Sequence, residues 1–164
     1  MRKHYGMELI LFIGLQASGK STFYRTHCAA TYEHISMDLL QHNKNPRKRQ
    51  MMLIEVALQA QQSVVVDNTN PTVEDRLPLI QLGHQYSAKI VGYYFDSSVR
   101  QCIERNKQRA GKAKVPDVAI YATAKKMVRP SYIEGFDMLY IVSIGENGTF
   151  IVREWVEENI IPPQ

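Results

Sequence analysis

The sequence of 164 residues contains few cysteines and no long apolar run. Its two cysteines, Cys28 and Cys102, lack the spacing of a metal site, which favours reduced thiols in a cytoplasmic protein over a disulfide framework. No stretch approaches the length of a membrane span. The basic and apolar N-terminus resembles a signal peptide for only a few residues, because Glu8 interrupts it. We therefore expect neither a membrane anchor nor secretion.

Other absences narrow the range of possible functions. The five histidines show no paired ligand spacing, so we interpret them as structural or surface residues. The aromatic residues do not form the compact motif of an RNA-binding sheet, and no Asn-Lys-x-Asp motif is present to bind guanine. Apolar and charged contents of 45% and 22% are ordinary. They predict a single domain over residues 1–164, and the net charge of +4 permits an anionic partner without requiring one.

The most informative stretch is an apolar run, residues 9–13, that leads directly into Gly14-x-x-x-x-Gly19-Lys20-Ser21. This pattern predicts a buried strand followed by a phosphate-binding loop and a helix. The loop directs backbone N–H groups at one anion, Lys20 reaches the β- and γ-phosphates, and Ser21 offers a hydroxyl to magnesium. ATP and Mg²⁺ are therefore the predicted cofactors. The predicted nucleotide-binding residues of the loop are Gly14, Gln16, Ala17, Ser18, Gly19, Lys20, Ser21 and Thr22.

Alternating helix and strand patterns follow the loop. They predict an α/β fold with a P-loop kinase-like open, mostly parallel sheet, helices on both faces and a small helical lid at about residues 105–117. The first helix is predicted over residues 20–30, and residues 149–152 are predicted to return as an antiparallel edge strand.

Two aspartates are predicted to follow strands, where the ligand crevice of a parallel sheet lies. Phosphoryl transfer to an alcohol needs one carboxylate that takes the hydroxyl proton, and often another that holds magnesium. We assign the first role to Asp38 and the second to Asp67. A helix N-cap at Asp38 and an Asx-turn at Asp67 are the alternatives.

Two arginines, Arg105 and Arg109, are four residues apart on a predicted helix that leads into a glycine-containing loop. This spacing places both on one face, where they suit a lid that closes over the triphosphate. A solvated basic face is the equally weighted alternative. A second basic stretch, residues 44–49, fits an anionic acceptor or, more simply, the start of a helix.

Four blocks of the sequence match one family in order: residues 14–23, 35–38, 65–71 and 105–116. Together they resemble the kinase domain of polynucleotide 5′-kinases. The resemblance implies that Lys20 and Ser21 bind ATP and magnesium, that Asp38 is the general base, and that Arg105 and Arg109 grip the transferring phosphate. It also implies a 5′-hydroxyl nucleic acid end as the acceptor.

The chain departs from the family pattern near Asp38. Ser36 and Met37 stand where the family usually has Asn-Arg, and Gln41 stands where phage members carry an arginine. No phosphatase domain is recognised, so we expect a stand-alone kinase. The alternatives are a kinase for a sugar or nucleoside, and a nucleotide-responsive binding module without transfer activity.

Overall fold

A computed structural model of the chain describes residues 6–157. Six strands form one sheet in the order β2-β3-β1-β4-β5-β6, in which only β6 runs antiparallel to its neighbour. The α/β fold with a mostly parallel sheet is confirmed, as is the antiparallel return near residue 150. The strands are β1 Glu8–Ile13, β2 Glu33–Ile35, β3 Val64–Asp67, β4 Lys89–Phe95, β5 Met138–Ile144 and β6 Phe150–Glu154.

Helices connect the parallel strands and cover the sheet. Three short 3₁₀ turns lie between them, at Met37–Leu40, Gly111–Ala113 and Tyr132–Glu134. Within residues 6–157, none of the helices combines the length and apolarity needed to cross a bilayer. The α-helices are α1 Lys20–Phe23, α2 Pro46–Gln59, α3 Val73–Gln85, α4 Val99–Lys107 and α5 Asp117–Lys126.

The first helix differs from its prediction. The α-helical hydrogen bonding of α1 ends at Phe23, and a π-helical turn, Tyr24–Cys28, continues the chain. The N–H of Ala29 donates to the carbonyl of Tyr24 at 2.9 Å, which is the wider i→i−5 spacing. The predicted helix over residues 20–30 is therefore present as far as Cys28, but its second part is π-helical rather than α-helical.

Strand β1 lies at the centre of the core, and its side chains alternate between the two faces of the sheet. Leu9 and Leu11 pack into the cluster beneath α2 and α3, whereas Ile10 and Phe12 pack with Phe23 on the other face. Burial on both faces explains the continuous apolar run. Since β1 lies between β3 and β4, the loop that leaves its carboxyl end is flanked by the ends of both neighbours.

A buried arginine holds the segment after β3 in place. Arg76 is fully buried, and its Nε donates to Glu134 Oε1 at 2.8 Å. Its Nη1 donates to the carbonyls of Asn70 and Val128, each at 3.0 Å. A buried charge with this many partners is satisfied, so the start of α3 is fixed against the loops beside it.

Candidate active site

The phosphate loop has the geometry of an anion cradle. Its first residue is anchored, because the Gly14 N–H donates to the carbonyl of Thr69 at 3.0 Å. Ala17 and Gly19 have positive φ angles of 62° and 98°, which turn the backbone between β1 and α1. A Cβ on Gly14 would lie 2.9 Å from Cβ of Phe95, so only glycine fits there. One cleft is lined by Gln16, Ala17, Gly19, Lys20, Ser21 and Thr22, whereas Gly14 and Ser18 of the same loop are buried.

The side chain of Lys20 is hydrogen-bonded to the backbone of this loop. Its Nζ donates to the carbonyls of Leu15 and Gly14 at 2.6 and 3.1 Å, and the residue is only 8% exposed. Burial lowers the pKa of Lys20 to about 8, against the opposing attraction of Asp67 and Asp38. The ammonium therefore lies in a site that a triphosphate would stabilise.

This pKa predicts how ATP binding depends on pH. Phosphate oxygens favour the charged ammonium, so bound ATP raises the pKa of Lys20 back towards its ordinary value of 10.5. Between about pH 8 and 10.5 we expect binding to take up a proton, and ATP affinity to fall as the pH rises. Calorimetry in two buffers of different ionisation enthalpy measures this uptake. Lys20→Met is expected to abolish it, and proton uptake that persists in this variant would refute the assignment.

A carboxylate and a hydroxyl meet at the carboxyl end of β3. Ser21 Oγ donates to Asp67 Oδ2 at 2.8 Å, and Asp67 is 4% exposed. Hard oxygen donors of this kind suit Mg²⁺, which keeps several water and phosphate ligands. No group of three or more metal-binding His, Cys, Asp or Glu side chains exists among residues 6–157. The pair predicted to hold magnesium is thus brought together.

His34 is a residue of this site that the sequence analysis missed. Its Nε2 hydrogen-bonds Asp67 Oδ2 at 2.8 Å, and its ring stacks on Tyr24 with centroids 4.0 Å apart. The sequence gives no reason to assign His34 to the site until β2 and β3 are known to be neighbours in the sheet. His34 pairs with Val65, and Asp67 lies two residues further on the same face.

Asp38 lines the same cleft. It lies on the 3₁₀ turn that follows β2, is exposed, and is close enough to Lys20 to influence its pKa. The cleft has a volume of about 890 Å³. Its walls include the phosphate loop, the turn with Asp38, the segment after β3 and part of the lid, so one space reaches all four.

The two lid arginines occupy different places. Arg109 lines the cleft, and its Nη1 donates to the carbonyl of Ala113 at 3.1 Å. Arg105 donates to the carbonyl of Ala17 at 3.3 Å and to Ser97 Oγ at 3.1 Å. The prediction that they share a helical face is wrong, because α4 ends at Lys107, before Arg109.

The lid is tied down at its base. Asn106 is fully buried, and its side chain exchanges two hydrogen bonds with the backbone of Val115, at 2.6 and 3.1 Å. The segment between them is exposed except for the half-buried Arg109, and Gly111 has a positive φ of 61°. The loop that carries Arg109 and Lys112 therefore has a fixed base and a freer tip.

The residues of the basic stretch 44–49 also differ in their positions and contacts. Asn45 caps α2 by accepting from the Lys48 N–H at 3.1 Å, which agrees with the simpler interpretation. Arg47 lines the cleft and forms an exposed ion pair with Asp75 at 3.4 Å. Lys44, Lys48 and Arg49 are exposed.

Comparison with known proteins agrees with this site. A family model described as an AAA domain matches residues 9–130. The bifunctional polynucleotide phosphatase/kinase of Schizosaccharomyces pombe is 30% identical over 139 residues, which cover 82% of this chain and 33% of that protein. The chain spans about a third of the length of the curated relatives it matches. The resemblance to polynucleotide kinases is thereby confirmed.

Solved structures share the fold at low identity. A chain of the Pnkp1/Rnl/Hen1 RNA repair complex has a TM-score of 0.64 and 21% identity, covering 99% of this chain and 53% of that one. A gluconokinase from Sinorhizobium meliloti 1021 has a TM-score of 0.61 and 19% identity, covering 88% and 86%. The phosphate loop, the fold and the family match agree, and the chain belongs to this AAA domain family as a P-loop kinase domain that binds nucleotide.

Proposed function

We propose that this protein transfers the γ-phosphate of ATP to the 5′-hydroxyl end of DNA or RNA. The observation that carries the proposal is that Asp38 and the phosphate loop line the same cleft. An acceptor hydroxyl bound in this cleft would have Asp38 as its base and the γ-phosphate held by the loop as its target. The identity to a polynucleotide phosphatase/kinase supports a nucleic acid end as the acceptor.

In the proposed reaction the carboxylate of Asp38 takes the proton of the acceptor hydroxyl. The hydroxyl oxygen then bonds to the γ-phosphorus while the bond from that phosphorus to the bridging oxygen of ADP breaks. Lys20 and Arg109 neutralise the charge that spreads over the phosphoryl oxygens. Magnesium, when bound beside Ser21 and Asp67, supplies further neutralisation of the β- and γ-phosphates.

A small alcohol, such as a sugar or nucleoside, is the second candidate acceptor. The observation that favours it is Gln41, an uncharged side chain that lines the cleft close to Asp38 in sequence. An uncharged wall is less suited to a phosphate of a longer acceptor. The cleft is nevertheless rich in cations, since Arg47, Lys112 and Lys126 line it in addition to Lys20 and Arg109.

An acceptor panel tests the proposal. Labelled ATP and magnesium are offered with 5′-hydroxyl DNA and RNA oligonucleotides, nucleosides and sugars. We expect label on an oligonucleotide end, and oligonucleotide affinity that falls steeply with salt, with a log–log slope of about −0.7 for each phosphate contacted. A nucleoside without phosphates is the control and should show little slope. Label on a sugar or nucleoside in preference to every oligonucleotide would overturn the proposal.

A further inference from the structure

We propose that Asn68 is a positioning residue that sets where Asp38 stands relative to the phosphate loop. Asn68 directly follows the last residue of β3, and both ends of its side-chain amide are engaged. Its Oδ1 accepts from the N–H of Met37 at 2.9 Å, and its Nδ2 donates to Oε1 of Gln50 at 2.7 Å. Met37 is the residue before Asp38. The kinetic part of this inference depends on the proposed function.

The turn that carries Asp38 has internal hydrogen bonds, from the Asp38 N–H to Ser36 Oγ at 3.3 Å and from the Leu39 N–H to the carbonyl of Ser36 at 3.1 Å, and Asn68 joins this turn to the neighbouring strand. Strand β2 has three residues, lies at the edge of the sheet and pairs only with β3. The last register pair joins Ile35 to Val66. Two residues further along, the same register would place Met37 opposite Asn68. The side chain of Asn68 therefore replaces the backbone pairing at the point where the two strands separate around the cleft.

The N–H of Met37 fixes the orientation of the Asn68 amide, and Gln50 accepts from its other end. The backbone N–H of Met37 can only donate, so the oxygen of Asn68 must face it and the nitrogen must face α2. Gln50 is 6% exposed, and α2 is anchored in the core through Ile54 and Leu58. One amide thus joins the turn of Asp38 to a strand end and to a buried helix.

The neighbours of Asn68 contact the phosphate loop and the end of β1. Asp67 accepts from Ser21, the carbonyl of Thr69 accepts from the Gly14 N–H, and Asn70 Nδ2 donates to the carbonyl of Phe12 at 2.8 Å. Four consecutive residues therefore fix both the phosphate loop and the turn that bears the base. A shift of about 1 Å between reacting groups can cost about 100-fold in rate.

Asn68→Ala tests the inference because it removes both hydrogen bonds and leaves Asp38 and the phosphate loop intact. We expect faster hydrogen exchange at the Met37 amide, a fall in kcat of about 100-fold and an unchanged dissociation constant for ATP. Gln50→Met should give a smaller change in the same direction. Gln50→Glu keeps an acceptor for Asn68 and should restore slow exchange.

Gln59→Met is the matched control, since it removes an amide hydrogen bond to Tyr86 at the other end of α2, outside the cleft. It should change neither exchange nor kcat. Unchanged exchange at Met37 in Asn68→Ala would overturn the inference, and so would faster exchange with full kcat. A fall in ATP affinity as large as the fall in kcat would also overturn it. The exchange measurement needs no acceptor, so a wild-type protein that phosphorylates no oligonucleotide would refute the proposed function separately.

Discussion

Asp38→Asn is expected to lower kcat for phosphate transfer by about 100- to 10,000-fold, the range that general acid–base catalysis usually supplies. The amide keeps the shape of the side chain but cannot take the hydroxyl proton. Asp38 lines the cleft and is exposed, so the substitution leaves the core unchanged. The dissociation constant for ATP, measured by calorimetry, should stay close to the wild-type value.

Glu74→Gln is the control for this experiment. Glu74 is an exposed carboxylate in the first turn of α3 and does not line the cleft. The same change of acid to amide there should leave kcat unchanged. Transfer that persists in Asp38→Asn would show that another group takes the proton. A wild-type protein that binds ATP but transfers no phosphate to any acceptor would favour a binding module over an enzyme.

Arg109→Ala is expected to lower kcat by about 1,000-fold or more, as removal of a cation that stabilises the transferring phosphoryl group does in other phosphotransferases. Arg109 lines the cleft within the lid loop, and the hydrogen-bond partner of its guanidinium is the backbone carbonyl of Ala113. The guanidinium can therefore exchange that carbonyl for phosphate oxygens as the lid closes. Single-turnover kinetics with saturating ATP separate this effect from binding.

Substitutions of Arg105 and Arg100 are the comparisons for Arg109→Ala. Arg105 is bonded to the phosphate loop at Ala17, so its removal should disturb ATP affinity more than the transfer step. Arg100 is exposed on the same helix and outside the cleft, so Arg100→Ala should behave as wild type. Equal kcat in Arg109→Ala and Arg100→Ala would contradict a role for Arg109 in transfer.

The parts of the site with local sequence signals could be predicted. The run from Leu9 to Ile13 and the loop after it are defined by residues close in sequence, and the structure has both. Asp67 could be assigned from its position at a strand end. The partnership of Asp67 with Ser21 then follows from parallel strands that end at one edge of the sheet.

The remaining features depend on contacts that no local pattern encodes. His34 and Asn68 acquire their roles only because β2 and β3 are neighbours in a particular register. Gln50 is one polar residue on a helix, and its burial against Asn68 is set by how α2 packs. Arg105 and Arg109 keep helical spacing in the sequence, but α4 ends between them, and helix ends are the least predictable boundaries.

The stereochemistry of transfer tests the central claim most directly. The claim is that the cleft holds the leaving and attacking oxygens at once, so that the phosphoryl group passes directly between them. ATP made chiral at the γ-phosphorus with oxygen isotopes would be used to phosphorylate a 5′-hydroxyl oligonucleotide. A single displacement predicts inverted configuration at phosphorus in the product. Retained configuration would indicate a covalent phosphoenzyme and would contradict the account.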